Sequence, residues 1–260
     1  MSDSCPYGKC GGLGFINVPG TNTCVTCQCR RDLEPLVKYQ KAGIPKDYLD
    51  ATFADFSPKP EFPEHVRALA GLRAYAASWP ERQRRGDGAA ILSPVVQVGK
   101  SHLAIATMRD IIDRYQQAWD DEYFALFVNL STWAKKWSEF WSAWPVDMPP
   151  ALKYGEEWQR CNHELRHEDQ RMHGVQLLVL DDLGERTPSE SLVNRLYEIV
   201  EWRTARAMPI IVTGNMLWDA MVRKYGDESR RIVDRIRARA VDHTFIIEGQ
   251  MPRKRKGGKR

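Results

Sequence analysis

Residues Ala89 to Leu103, reading AAILSPVVQVGKSHL, constrain this chain more than any other stretch. The apolar run Ala89–Leu92 predicts a short buried strand. After Gly99-Lys100-Ser101, Leu103, Ile105, Ala106, Met108, Ile111 and Ile112 recur near the 3.6-residue period of a helix. Strand, loop, Gly-Lys-Ser and helix is the layout of a phosphate-binding loop. In that layout the lysine reaches the β/γ-phosphates, the serine hydroxyl holds Mg²⁺ and the helix N-terminus faces the anion.

The loop departs from the full motif at two positions. Pro94 stands five residues before Gly99, where glycine is required, and Gln97 occupies a position at which related ATPases carry another. Backbone N–H groups cradle phosphate only if the loop turns them inward, and glycine visits positive φ most cheaply. Val95, Val96 and Val98 are β-branched and resist such a turn. A bare Gly-Lys-Ser also fits an ordinary helix start with Ser101 near the N-cap. The downstream residues bear on the choice. Val175–Gly184 is an apolar run ending in Asp181-Asp182, a Walker B arrangement. There the first carboxylate supports Mg²⁺ and the second orients the attacking water. Pro209–Asn215 is a second buried strand, whose terminal Asn215 can reach a γ-phosphate or that water. The plainer alternatives are an Asp pair opening a turn and an incidental strand-end asparagine.

The remaining elements follow the same alternation. Tyr123–Val128 reads as a strand, with Ser131 as cap of the next helix. That helix carries Trp133, Trp137, Phe140, Trp141 and Trp144 on one stripe, which is either core or a stacking platform for single-stranded DNA beside Lys135 and Lys136. Helices are expected over 32–40, 64–79, 156–173, 189–207 and 229–238, a proline-rich extended break over 57–63, a charged turn over 81–88, and a closing strand over 243–247. His163 and His167 lie one turn apart, but without a third ligand nearby they read as a solvated face. Five strands alternating with helices predict an α/β body, a five-stranded parallel sheet between helices. Gly-Lys-Ser, Asp-Asp and Asn all fall at carboxyl ends of its strands, where ligands bind in such sheets.

Five of the six cysteines lie within the first 29 residues, as Cys5, Cys10, Cys24, Cys27 and Cys29. A segment that short cannot bury enough apolar surface to fold alone, and clustered thiols in a reducing compartment favour metal over disulfides. Tetrahedral Zn²⁺ would supply the stability. The expected ligands are Cys5, Cys10, Cys27 and Cys29, with Cys24 in reserve. No run of apolar residues is long enough for a membrane span and no signal-peptide core follows Met1, so a cytoplasmic protein is expected. The formal charge is +4, but residues 252–260 carry six basic and no acidic side chains, which leaves −2 for the rest. Such a tail either touches nucleic acid electrostatically or merely solubilises. The chain divides as a zinc-binding region over 1–40, a linker and helix over 41–88, a nucleotide-binding body over 89–250 and a basic disordered tail over 251–260.

Taken together, the cysteine knuckle, Ala42–Phe53, Gly99–Ala104, Leu177–Gly184, Pro209–Asn215 and Arg231–Ile236 resemble the DnaC-type replicative helicase loaders, which are AAA+ ATPases. The resemblance runs over nearly the whole chain. It implies an ATP–Mg²⁺ switch whose N-terminal region binds a hexameric helicase and helps place it on single-stranded DNA. By position it assigns Gly99, Lys100, Ser101 and His102 to the nucleotide loop, with Ser101 and Asp181 at Mg²⁺. Asp182 would act on the water and Asn215 as a sensor of the γ-phosphate. Arg235 would be a finger reaching the ATP of a neighbouring subunit, which implies a homo-oligomer in the ATP-bound state. Pro94 and Gln97 stand where the family has glycines, so a nucleotide-free zinc adaptor bridging helicase and DNA is the second reading. A transposase-helper ATPase of the IstB type is the third, and the cysteine knuckle argues against it.

Overall fold

The computed structural model describes residues 5–21, 23–59, 61–117, 122–144, 155–184 and 189–249, and within them all side chains except those of residues 31, 32 and 225–229. The Pro149-Pro150 break and the basic tail lie outside the described residues.

The body is one parallel sheet in the order β4-β5-β6-β3-β7, formed by Ala89–Leu92 (β3), Ala125–Asn129 (β4), Leu177–Leu183 (β5), Ile210–Gly214 (β6) and Thr244–Ile246 (β7). The central strands β3 and β6 are buried at every position because both faces are covered. Alternate residues point to opposite sides, so Ala89, Ile91, Val179 and Ile211 enter one core and Ala90, Leu92, Leu178, Leu180 and Val212 the other. The first core packs under Gln28–Lys41 (α1), Pro63–Ala77 (α2) and Lys100–Tyr115 (α4). The second packs under Leu130–Ala143 (α5), Glu156–Gly174 (α6), Glu190–Ala205 (α7) and Trp218–Arg239 (α8). The short helix Trp79–Arg85 (α3) leads into β3. Gly88 lets the chain enter the sheet, since a Cβ there would lie 2.4 Å from the Ile210 carbonyl oxygen.

Three expectations need correction. The helix after β4 is capped by Asn129, whose Oδ1 accepts the Thr132 backbone N–H at 3.0 Å, and Ser131 lies inside the first turn. The charged run expected to be a turn is α3, with proline in its first turn and Gly86 left-handed at its end. The arginine-rich helix begins at Trp218 rather than Ser229, because its first turns bury only an intermittent apolar face that includes Met221.

The tryptophan stripe of α5 is core. Trp133 and Trp137 are buried, and their indole N–H groups donate to Asp169 Oδ1 at 3.0 and 3.4 Å. Arg195 pairs with Asp169 Oδ2 at 2.8 Å and lies 3.7 Å over the Trp137 ring. A buried carboxylate, two indoles and one guanidinium thus satisfy one another. Neither ring is available to a nucleobase. Trp141 and Trp144 are half-buried against the same cluster.

Candidate nucleotide cleft and cysteine centre

The carboxyl ends of β3, β5 and β6 open on a cleft of about 790 Å³. Gly99, Lys100, Ser101, His102, Asp182 and Asn215 line it, so residues far apart in sequence meet at one place. Between β3 and α4, Ser93 Oγ accepts the Val95 N–H at 3.0 Å and tightens the loop. Gln97 has φ 61° and Gly99 φ 91°. The left-handed turn is therefore made even where the sequence offers glutamine, at a cost of about 1 kcal/mol. Lys100 Nζ donates to the Val95 carbonyl at 3.0 Å, across the mouth of the loop. Burial pushes the Lys100 ammonium below its usual range, and Asp182 and Asp181 pull it back up.

The two acids are held differently. Asp181 is buried, with Oδ1 accepting from the Thr213 hydroxyl at 2.7 Å. The same Thr213 oxygen accepts the Asp182 N–H at 3.0 Å. Pairing between β5 and β6 shifts between Leu180 and Leu183, and Asp182 sits in that irregularity at φ 61°. The kink aims its carboxylate into the cleft, where Asn215 Nδ2 donates to Oδ1 at 3.4 Å. Asn129 Nδ2 reaches both acids, at 3.3 Å to Asp181 and 2.9 Å to Asp182. Asn129 therefore donates its amide N–H groups to both carboxylates while its Oδ1 caps α5.

Asn129 and Thr213 carry roles the sequence reading did not assign. Asn129 follows the predicted strand as Asn215 follows its own, and that parallel was the available signal. Asn129→Ala is expected to lower stability by about 1 kcal/mol through the lost cap, as read by urea unfolding.

The opposite wall comes from residues 47–57, with Asp47, Tyr48, Asp50 and Asp55 facing the loop. Burial raises the Tyr48 hydroxyl, and the charges of Asp181 and Asp182 raise it further. His102 lines the cleft, but its Nε2 is 2.8 Å from the Thr52 carbonyl, so the ring also ties that wall to α4. Arg235 is absent from the cleft lining; it pairs with Glu201 at 2.8 Å on α7.

The N-terminal module is a two-stranded antiparallel ribbon, Phe15–Asn17 (β1) and Cys24–Thr26 (β2), followed by α1. Cys5, Cys10, Cys27 and Cys29 bring their Sγ atoms within 4.8 Å of one another. Thiolates about 2.3 Å from a tetrahedral Zn²⁺ lie about 3.8 Å apart. The Cys5–Cys27 and Cys10–Cys29 separations are 3.8 and 3.4 Å, so the donor set fits zinc in number, chemistry and spacing. Cys24 is exposed and its thiol donates to Asn17 Oδ1 at 2.9 Å, outside the cluster. Burial raises the Cys5 thiol, but N–H groups of Lys9, Cys10 and Tyr7 outweigh it and bring the thiol down to about 6. Burial, then the neighbouring thiols, push Cys29 up to about 12. Four thiols this close cannot ionise together without a cation among them. His163 and His167 stack with centroids 6.2 Å apart, and among the described residues no third candidate ligand joins them.

Among the described residues no helix is long and apolar enough to cross a membrane. No family model matches the chain. No curated protein matches it either. Solved structures do. The crystal structure of the DnaC helicase loader superposes with a TM-score of 0.57 at 17% identity, covering 78% of this chain and 100% of that one. DnaI gives 0.55 at 17% identity, with 79% and 92% covered. AMPPCP-bound DnaA from Aquifex aeolicus gives 0.55 at 16% identity, with 79% of this chain and 51% of that one covered. What these identities establish is the architecture: the chain has the AAA+ P-loop fold shared by the DnaC loader, DnaI and DnaA.

Proposed function

We propose that the protein is an ATP-dependent loader that binds a replicative hexameric helicase and helps place it on single-stranded DNA. The observation that carries this reading is the meeting of Lys100, Ser101, Asp182 and Asn215 at one cleft, with Asp181 buried beside Asp182, in a fold shared with the DnaC loader. In this reading Lys100 leaves the Val95 carbonyl for the β/γ-phosphates. Ser101 and Asp181 complete the Mg²⁺ shell, Asp182 orients the attacking water and Asn215 senses the γ-phosphate. Arg235 leaves Glu201 to reach the ATP of a neighbouring subunit, so the active form is a homo-oligomer.

Residues 1–40 form the helicase-binding region, stabilised by Zn²⁺ on Cys5, Cys10, Cys27 and Cys29. Its surface supports this, because Tyr7, Leu13, Phe15, Val25, Leu33 and Leu36 are all exposed on so small a unit. Residues 41–88 link it to the ATPase body, residues 89–250. Pro94 and the Lys100–Val95 bond favour one second reading, a nucleotide-free zinc adaptor between helicase and DNA.

Zinc analysis of the purified protein is expected to find one equivalent per chain, lost in Cys27→Ser. Retention should fall as pH drops, because protons compete with the metal for the four thiolates. Below half an equivalent at neutral pH would remove zinc from the account. For the partner, the folded full-length protein is expected to capture a replicative hexameric helicase, and Leu13→Asp with Phe15→Asp to abolish capture. No capture by the zinc-loaded wild type would contradict the loader.

A further inference from the structure

The end of the sheet opposite the cleft carries a surface that the reading above leaves unused. Gly88, Gln176 and Pro209 immediately precede β3, β5 and β6 there. In the last turn of α7, Trp202 is 44% exposed, and it is the only exposed tryptophan among the described residues. The Arg206 guanidinium lies 3.3 Å from its ring centroid, and the His173 ring meets it edge-on at 5.8 Å. The face continues across the end of α3, where a Cβ on Gly86 would lie 2.5 Å from Ala207 Cα. Arg239 ties the two elements together, donating to the Arg85 carbonyl at 3.0 Å and the Thr204 carbonyl at 2.7 Å. Arg84 and Arg85 are exposed beside them. Tyr123, also exposed, packs near Gly174, the residue after His173. Of the acids nearby, Asp87 is paired with Arg82 at 3.1 Å and Glu81 with Arg85 at 3.5 Å.

We propose that this face binds a single-stranded polynucleotide, with Trp202 and Arg206 as its stacking platform. An apolar protein partner would meet a lone indole among guanidinium groups, whose desolvation costs several kcal/mol per ion. A phosphate backbone finds cations at Arg84 and Arg206, and an unstacked base finds the π-face of a guanidinium already laid on a tryptophan. In a duplex the bases are stacked on one another and cannot reach the platform. The inference rests on the loader reading only for the choice of DNA over RNA.

The test is anisotropy of a labelled oligo-dT with the full-length protein at two salt concentrations. Trp202→Leu is expected to weaken binding on the order of tenfold, and Trp202→Phe to stay near wild type. Arg206→Glu should weaken it and flatten the salt dependence. If Trp202→Leu does not fold, Arg206→Glu, exposed at the end of α7, decides alone. The proposal is overturned if neither variant changes affinity, or if neutralising Arg253, Lys254, Arg255 and Lys256 alone removes all binding. Equal weakening on duplex DNA would also overturn it. Helicase capture should be unchanged in both variants, so a failed capture experiment and a failed DNA experiment are distinguishable.

Discussion

Asp182→Asn is expected to reduce ATP turnover at least 100-fold while leaving Mg-ATP binding close to wild type. The carboxylate is the one acidic group aimed from the sheet into the cleft, and a positioned base typically contributes about 10²–10⁴ in rate. Asparagine keeps the shape and the backbone bond from Asp182 to Thr213, so the kink survives. It also removes one of two adjacent carboxylates that share the Asn129 amide, so the unliganded protein should lose no stability. Phosphate release and nucleotide titration on the same preparation separate the effects. Parallel loss of binding would mean that Asp182 shapes the site rather than acting on water.

The largest effect on stability is expected from Arg203→Ala, about 3–5 kcal/mol from the cavity and the carbonyls left without donors. Arg203 is wholly buried and, among the described residues, has no carboxylate partner. Its Nη1 donates to the carbonyls of Met172, His173 and Val175 at 3.0, 3.2 and 2.8 Å. Its Nη2 donates to Gln176 and Pro209 at 3.4 and 2.8 Å. Those carbonyls belong to the last turn of α6, the two residues entering β5 and the residue entering β6, so one side chain ties α7 to the starts of two central strands. Burial pushes the guanidinium down to about 9, with Tyr75 opposing, and it remains charged at neutral pH. Alanine leaves a cavity and several buried acceptors without donors. Chemical denaturation measures the loss, which is a large share of the 5–15 kcal/mol typical of a domain. Arg203→Lys, with a single point of donation, should fall between the two. A loss below about 1 kcal/mol for alanine would contradict this role.

What the sequence made legible was periodic or positional. Apolar runs before Ser93, Asp181 and Asn215 predict buried strands, and all three are found, because a strand covered on both faces leaves little room for polar residues. The cysteine spacing selected the same four thiols that cluster in space. The misses have local causes. Asn129 caps α5 in place of Ser131 because its side chain also has Asp181 and Asp182 to satisfy, a tertiary demand invisible in one dimension. The run Glu81–Arg85 is helical because Pro80 starts a turn that Gly86 ends, a signal masked by the charges between. The tryptophan stripe was ambiguous because periodicity cannot say what covers a face; Asp169 and Arg195, on two other helices, cover this one. Arg203 was unreadable for the same reason, since an arginine in an amphipathic helix normally faces water.

The central claim is that the irregular loop still holds nucleotide, and Mg-ATP calorimetry on the wild type and Lys100→Ala tests it most directly. The left-handed turn at Gln97 and Gly99 supports binding in spite of Pro94. Burial of Lys100 adds a pH signature. Its lowered pKa means affinity should fall as pH rises, beginning below the ordinary lysine value of 10.5, as the ammonium loses its charge. The account predicts saturable Mg-dependent binding by the wild type and none by Lys100→Ala. A folded wild type that binds no Mg-ATP, alone or with single-stranded DNA, would contradict it.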